Sequence, residues 1–277
     1  MVKSTVTNGQ VLKAPAPPKI GKLKSRPQVF TIGLFGESGS GKTTLATTVV
    51  TDPEDLLIVN IDNSVSVLPG VYNIFPDPAE NRPVESWEEL LDLVTWLEVE
   101  GHKQFKAVVF DTMTEAGSRL LKQYILRHPP RVGSRPSKDR MNQDDYGWFA
   151  DEMLALLVRL RDLPMHVVLN MQTKDLVVET PEGQTQLYRY PSFGEGNKVS
   201  AEANQYLDLV GYLSVVPGKR EGGGQQIKRT LLVYPMANRK AKIRTRPGVE
   251  APAVLEDEDF NLHNIMVKYM LPEGEDA

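Results

Sequence analysis

Val29-Phe30-Thr31-Ile32-Gly33-Leu34-Phe35, followed at once by Gly36-Glu37-Ser38-Gly39-Ser40-Gly41-Lys42-Thr43, decides the fold of this chain. The first stretch is an apolar run of strand length, and the second is a complete G-x-x-x-x-G-K-[ST] phosphate loop. Thr44-Leu45-Ala46-Thr47-Thr48-Val49-Val50 then continues as a helix start, so strand, cradle and helix come in the required order. The residue types follow from the chemistry. Glycines let backbone N–H groups close around phosphate oxygens, Lys42 reaches the outer phosphates, and the Thr43 hydroxyl completes a Mg²⁺ shell. Gly36, Glu37, Ser38, Gly39, Ser40, Gly41, Lys42, Thr43 and Thr44 are therefore expected to hold a nucleoside triphosphate.

With 277 residues, 40% hydrophobic and 25% charged, the chain can bury one full α/β core. It has no cysteine, which excludes disulfides, zinc knuckles and thiol catalysis, and its four histidines show no metal-ligand spacing. Mg²⁺ brought with nucleotide is the one metal expected. No apolar run is long enough for a membrane span and the first residues do not read as a signal peptide, so a cytoplasmic protein is expected.

The net charge of −4 is unevenly spread. Residues 1–28 hold six Lys/Arg and no Asp/Glu, whereas residues 250–277 hold eight Asp/Glu against Lys268. The expected organisation is a basic, Pro-rich disordered arm over 1–28, one ATPase-type domain over 29–249 and an acidic tail over 250–277. Glu256-Asp257-Glu258-Asp259 and Glu273-Gly274-Glu275-Asp276 carry the acidic character of that tail.

Between these ends the pattern alternates. Leu56-Leu57-Ile58-Val59-Asn60-Ile61-Asp62 and Phe105-Lys106-Ala107-Val108-Val109-Phe110-Asp111-Thr112 are apolar runs that end in an acid, as buried parallel strands do when they open onto a site. Tyr72-Asn73-Ile74-Phe75 is a shorter strand candidate, and Ser86-Trp87-Glu88-Glu89 is a capping box ahead of Leu90, Leu93, Val94 and Leu97 at helical spacing. A second helix carries Leu120, Leu121, Tyr124 and Ile125. A third, long one from Trp148 to Leu160 precedes the strand His166-Val167-Val168-Leu169-Asn170-Met171-Gln172. The alternation predicts a mostly parallel sheet covered on both faces. After Gln172 a hairpin is expected about Pro181-Glu182-Gly183. Two antiparallel strands, Leu209–Val216 and Thr230–Tyr234, are expected to join through Gly222-Gly223-Gly224.

Several side chains are candidates for chemistry. Asp111, about 70 residues past the loop, is placed where a Walker B acid would hold the water shell of Mg²⁺, with a helix N-cap as its other reading. Asp62 ends a neighbouring strand and could polarise the attacking water, a role for which Glu37 is a rival. Gln172 could sense the γ-phosphate. In Arg239-Lys240-Ala241-Lys242-Ile243-Arg244, strand alternation would put Lys240, Lys242 and Arg244 on one face, where they need anions or an acidic neighbour. A solvated edge strand is the other reading.

This ordering resembles the RecA-like ATPases, and most of all the branch formed by bacteriophage single-strand annealing and recombination proteins. The resemblance runs over roughly residues 29–247. It rests on the phosphate loop, Asp62, Ser86-Trp87-Glu88-Glu89-Leu90, Phe110-Asp111-Thr112, Asp145-Tyr146-Gly147, Gln172, Tyr190-Pro191-Ser192-Phe193-Gly194 and Leu207-Asp208-Leu209-Val210. It implies a RecA-like α/β core with antiparallel C-terminal strands, ATP as the nucleotide, Mg²⁺, and a ring or filament of identical subunits. It also implies that Lys242 and Arg244 occupy the place of a Lys-x-Arg pair reaching a neighbour's γ-phosphate. Where such enzymes commonly place a catalytic glutamate, this chain has Asp62-Asn63.

A GTPase is disfavoured, because no D-x-x-G follows a strand and Thr173-Lys174-Asp175 lacks the Asn of N-K-x-D. A P-loop kinase of a small molecule and a protein-remodelling ATPase remain as alternatives, since fold does not fix function. The leading expectation is a Mg²⁺-dependent ATPase that binds single-stranded DNA in recombination or annealing. Arg131, Arg135, Lys138 and Arg140 come from a Pro-broken loop, 127–140, with no evident core to join. Lys174, Tyr188, Arg189, Tyr190 and Lys198 follow Gln172, and the tyrosines could stack on bases. A single-strand binding protein or another recombinase is a further expected partner.

Overall fold

A computed structural model describes residues 28–63, 68, 71–179, 183, 185–220, 224–236, 238–256, 260–272 and 274. The basic arm, most of the Pro181-Glu182-Gly183 and Gly222-Gly223-Gly224 turns, and most of the acidic clusters lie outside the described residues.

In chain order the elements are β1 (Thr31–Gly36), α1 (Lys42–Ala46), β2 (Leu56–Asn60), β3 (Asn73–Phe75), α2 (Trp87–Val99), β4 (Ala107–Asp111) and α3 (Met113–Glu115). A π-helical stretch, Ala116–Leu121, leads into α4 (Lys122–Arg127), followed by α5 (Gln143–Arg161) and β5 (His166–Met171). Then come β6 (Thr173–Glu179), β7 (Thr185–Pro191), α6 (Lys198–Glu202), β8 (Leu209–Arg220), β9 (Gly224–Leu232), β10 (Lys242–Ile243), β11 (Val254–Glu256) and α7 (Leu262–Ile265).

Among the described residues one nine-stranded sheet runs β11-β9-β8-β1-β5-β4-β2-β3, with β10 also on β8, and β6-β7 form a separate hairpin. β8, β1, β5, β4, β2 and β3 are parallel to one another, and β9, β10 and β11 are antiparallel additions. This is the mixed α/β architecture expected of a RecA-like core.

The parallel strands are continuous apolar runs because both of their faces are covered. Val108, Phe110, Val167 and Leu169 point into one core with Trp87, Leu90, Met153 and Leu157 of α2 and α5. Ala107, Val109, Ile32, Leu34 and Val168 point into the other, with Leu45 and Ala46 of α1.

Three expectations are corrected. The region after 249 is not a separate tail: Ala251, Leu255, Leu262, Ile265, Met266, Tyr269 and Met270 are buried in the core that contains α1, and β11 pairs with β9. Net charge over the whole end hid the i, i+3, i+4 spacing of Leu262, Ile265, Met266 and Tyr269.

The 127–140 loop also joins the fold. Arg135 forks onto Asp145 at 2.6 and 2.9 Å and donates to the carbonyls of Ile125, Leu126 and His128 at the end of α4. Asp145 is itself the reciprocal partner of the α5 cap Asn142, and its carboxyl is held below the usual carboxylate range first by the Arg135 guanidinium. The capping box of α2 is shifted as well. Ser86 accepts from the Glu89 N–H, whereas the Glu89 carboxylate takes the Glu85 N–H, not that of Ser86.

His166 opens β5 buried, with Nδ1 accepting the Phe30 N–H at 3.1 Å. Burial, with His263 as a further cause, pushes its pKa from 6.5 down to about 4. The unfolded chain therefore binds a proton that the folded chain refuses between those values, so stability falls as pH drops through this window, by roughly 3 kcal/mol. In His166→Asn the side-chain oxygen can still accept from Phe30. Equilibrium urea unfolding between pH 7 and 4 should show a shallower pH slope in this variant; equal slopes would contradict the assignment.

Candidate functional site

Strand parity builds the site. Asp111 follows Ala107 and Val109 on the face of β4 that carries α1, so its carboxylate emerges beside the start of that helix. The Thr43 hydroxyl donates to Asp111 Oδ2 at 2.6 Å, and Asp111 is only 1% exposed. The Asp111 carbonyl in turn accepts the N–H groups of Ile61 and Asp62 at 2.7 and 3.3 Å, which fixes the chain at the end of β2 against the end of β4.

The loop itself is shaped by close approach. A Cβ on Gly36 would fall 2.2 Å from the Leu213 carbonyl oxygen, and Gly41 has φ +96°. Both positions exclude ordinary side chains. The Lys42 ammonium folds back onto the carbonyls of Gly36 and Glu37 at 3.1 and 2.9 Å. Burial lowers its pKa, opposed by the carboxylates of Asp111, Glu37 and Asp62. The Ser40 Oγ is buried without a hydrogen-bond partner.

These groups line a cleft of about 560 Å³ that collects Ser38, Gly39, Gly41, Lys42, Thr43, Thr44, Asp62, Asp111, Gln172 and Arg229. Thus nine sequence-predicted residues, Ser38, Gly39, Gly41, Lys42, Thr43, Thr44, Asp62, Asp111 and Gln172, meet in one cavity although they come from the phosphate loop, α1, the ends of β2 and β4, and the residue after β5. Gln172 is held by its backbone. Its N–H donates to the Thr114 hydroxyl at 2.9 Å, and that hydroxyl donates to the Ser192 carbonyl at 2.7 Å, so the helix after Asp111 and the chain after Gln172 are tied together.

The donor set suits a magnesium nucleotide. A hydroxyl and a carboxylate already paired at 2.6 Å can both face one hydrated Mg²⁺, and a lysine surrounded by three carboxylates and loop carbonyls gains from a polyphosphate. A larger groove, about 930 Å³, runs along β3 and α2. Its walls hold Tyr72, Phe75, Trp96 and Phe105 with Asp77, Glu88, Glu89 and Asp92, a lining that repels phosphate, so of the two cavities the smaller cleft suits a nucleotide better.

Other predicted residues are not brought there. Lys242 and Arg244 lie where β10 pairs with the start of β8, at the end of the sheet opposite the loop. The Lys242 ammonium donates to the carbonyls of Asn204 and Leu207, while Arg244 pairs with Asp208 at 2.7 Å and keeps 64% of its side chain exposed. Lys240 instead lies over the rings of Tyr188 and Tyr190 at 5.5 Å from each. The expected single cationic face is therefore absent, because β10 spans only two residues and each cation finds its own neighbour.

Of the DNA candidates, Arg135 is only 10% exposed and held by Asp145, and Lys174 donates to the carbonyls of Gly194 and Gly196. Arg131 covers the Trp148 ring at 4.2 Å and Lys198 lies 3.9 Å from Asp151. Lys138 and Arg140 are exposed. Arg189 donates to the Tyr212 hydroxyl and approaches Glu37 of the loop at 3.8 Å, beside the Tyr188–Tyr190 ring pair. Arg229 is the residue that sequence reasoning missed. It sits in an unremarkable strand pattern and reaches the cleft only through the pairing of β9 with β8.

A family model described as AAA domain matches residues 30–245. Among solved structures, the chain is similar to the flagellar accessory protein FlaH from Methanocaldococcus jannaschii, at 12% identity over 83% of this chain and 85% of that one, with a TM-score of 0.39. It is likewise similar to a KaiC-like protein from Pyrococcus horikoshii OT3, at 13% identity over 79% and 84%, with a TM-score of 0.41. No curated protein matches the chain.

Because Asp111 would act on the water shell of the metal, Asp111→Asn should weaken Mg²⁺ binding in the presence of ATP by roughly 10–100-fold. ATP binding measured by calorimetry in EDTA should change little. An unchanged Mg²⁺ dependence would remove Asp111 from the metal site.

Proposed function

The chain belongs to the AAA domain family, and from that premise we propose that it is a Mg²⁺-dependent ATPase that works as an oligomer on single-stranded DNA in recombination or annealing. The observation that carries the ATPase part is the cleft. Lys42, the hydrogen-bonded Thr43–Asp111 pair, Asp62 and Gln172 line one cleft, so a triphosphate there would have Lys42 for its phosphates, Thr43 and Asp111 for its Mg²⁺, and Asp62 and Gln172 for the attacking water. Thr43 and Asp111 would hold Mg²⁺ through its water shell, and the ion would neutralise charge on the phosphate oxygens. Asp62, held by the Asp111 carbonyl, orients the water and accepts its proton, and Gln172 hydrogen-bonds the γ-phosphate or the water.

Gln172 leads straight into the β6–β7 hairpin, and Ser192 just after that hairpin shares the Thr114 hydroxyl with it. Loss of the γ-phosphate at Gln172 is thereby coupled to the segment with Tyr188, Arg189 and Tyr190. This supports a DNA-facing role for the hairpin, with Lys138 and Arg140 as further phosphate contacts. Arg135 and Lys174 act as internal anchors. Since Lys242 and Arg244 lie at the far end of the sheet from their own cleft, a γ-phosphate contact from them needs a neighbouring subunit. The exposed Arg244 guanidinium is suited to that reach, and Lys242 secures the turn beneath it. The bacteriophage recombination branch is the family context that this reading favours.

Two measurements test it. ATP hydrolysis should rise with single-stranded DNA, and the stimulation should fade as salt increases, because phosphate contacts release counterions. Arg244→Ala should keep ATP affinity but lose turnover by at least about tenfold, and mixing it with Lys42→Ala should restore part of the rate in trans. A DNA-independent rate would favour a remodelling ATPase or small-molecule kinase. Full turnover in Arg244→Ala would sink the intersubunit assignment.

A further inference from the structure

The charged side chains that line the cleft are Asp62 and Asp111 against Lys42 and Arg229, and Lys42 alone does not balance the two carboxylates. A polyphosphate entering the cleft meets the carboxylates of Asp62 and Asp111, and Lys42, the loop's own cation, is engaged with the Gly36 and Glu37 carbonyls. A second protein cation, on the side of the loop away from Asp62 and Gln172, would add to the charge that Lys42 and Mg²⁺ supply.

β8 and β9 provide that side. Gly36, the last residue of β1, pairs with Leu213, and β8 runs on past it to Arg220 while β9 returns alongside. Arg229 pairs with Val215, two residues beyond the end of β1, so it stands next to the loop and not beside the sheet. Its side chain lies against the final glycine: a Cβ built on Gly41 would be 3.0 Å from Arg229 Nε and 3.8 Å from Cζ. Among the residues lining the cleft, Arg229 is contributed by the antiparallel ribbon, on the flank of β1 opposite to β5, β4 and β2. The ribbon position is fixed by neighbours on both sides. Ser214 and Thr230 share a hydroxyl hydrogen bond of 2.8 Å, and Lys228 pairs with Glu256 of β11.

We propose that Arg229 is a phosphate-binding residue of this cleft, a guanidinium delivered in cis by the β8–β9 ribbon to grip the triphosphate from the flank opposite Gln172. The assignment rests on the nucleotide reading above. It gives Gly41 a second reason to lack a side chain, since a Cβ there would crowd the Arg229 Nε at 3.0 Å and make it shift. A planar, permanently charged fork suits phosphate oxygens better than a lysine would.

The test is calorimetric titration of the full chain and of the Arg229→Ala and Arg229→Lys variants with ATP and with inorganic tripolyphosphate, alongside thermal unfolding of the ligand-free proteins. Arg229→Ala should bind both ligands about tenfold or more weakly, Arg229→Lys should recover part of the loss, and the ligand-free melting temperature should stay close to that of the parent. Parental affinity of Arg229→Ala for ATP would overturn the proposal. So would loss of ATP affinity with tripolyphosphate binding unchanged, because that result would assign Arg229 to the nucleoside. A parent protein that binds ATP poorly but whose Arg229 variants behave identically would instead overturn the nucleotide reading and this residue's role with it.

Discussion

The hydrogen bond from the Thr43 hydroxyl to the Asp111 carboxylate is the contact on which the site depends. It joins the phosphate loop on β1 to the end of β4, two strands away across β5. The bond is possible because odd-numbered positions of β4 face α1, so a strand of five buried residues ends with its one charged side chain on the helix side. Shifting β4 by one residue would turn Asp111 toward α2 and α5 and leave Thr43 without an acid. The register of the parallel sheet, set by apolar packing on two faces, is thus also what assembles the polar centre.

Around that contact the cleft has two unlike flanks. On one, Asp62 and Gln172 are positioned through their backbone N–H groups, which the Asp111 carbonyl and the Thr114 hydroxyl accept. On the other, the antiparallel ribbon places Arg229 over Gly41. The first flank continues into the β6–β7 hairpin, and the second into β11 and the C-terminal helix, since β9 carries both Arg229 and the partners of β11. A ligand held by both flanks would couple them across β1 and β8, and the hairpin is already tied to the chain after β9 by the Arg189 N–H on the Asn238 carbonyl and the Lys240 N–H on the Arg189 carbonyl. Arg189 adds a further tie between hairpin and loop through Glu37 and Tyr212.

Much of this was legible in the residues because local rules and the global fold agree there. The phosphate loop, the apolar runs ending at Asp111 and near Asp62, and the helical spacing after Ser86 each carry their own signal. What escaped was what depends on distant pairing. Arg229 looks like one cation in a polar strand, and only the register with Val215 places it at the loop. Arg135 looked like a free loop cation, yet Asp145, ten residues on, fixes it beneath α4. The C-terminal helix was obscured by flanking acids, and the Lys240-Lys242-Arg244 alternation did not become a strand face because β10 is too short to impose one.

The most direct test of the central claim is calorimetric titration of Mg²⁺-ATP into the full chain and into Lys42→Ala. One ATP per chain in the parent protein, with binding lost in the variant, is the result that a phosphate loop closed by the Thr43–Asp111 pair predicts. Equal binding by both proteins, or none by the parent, would show that this cleft is not where a nucleotide is held.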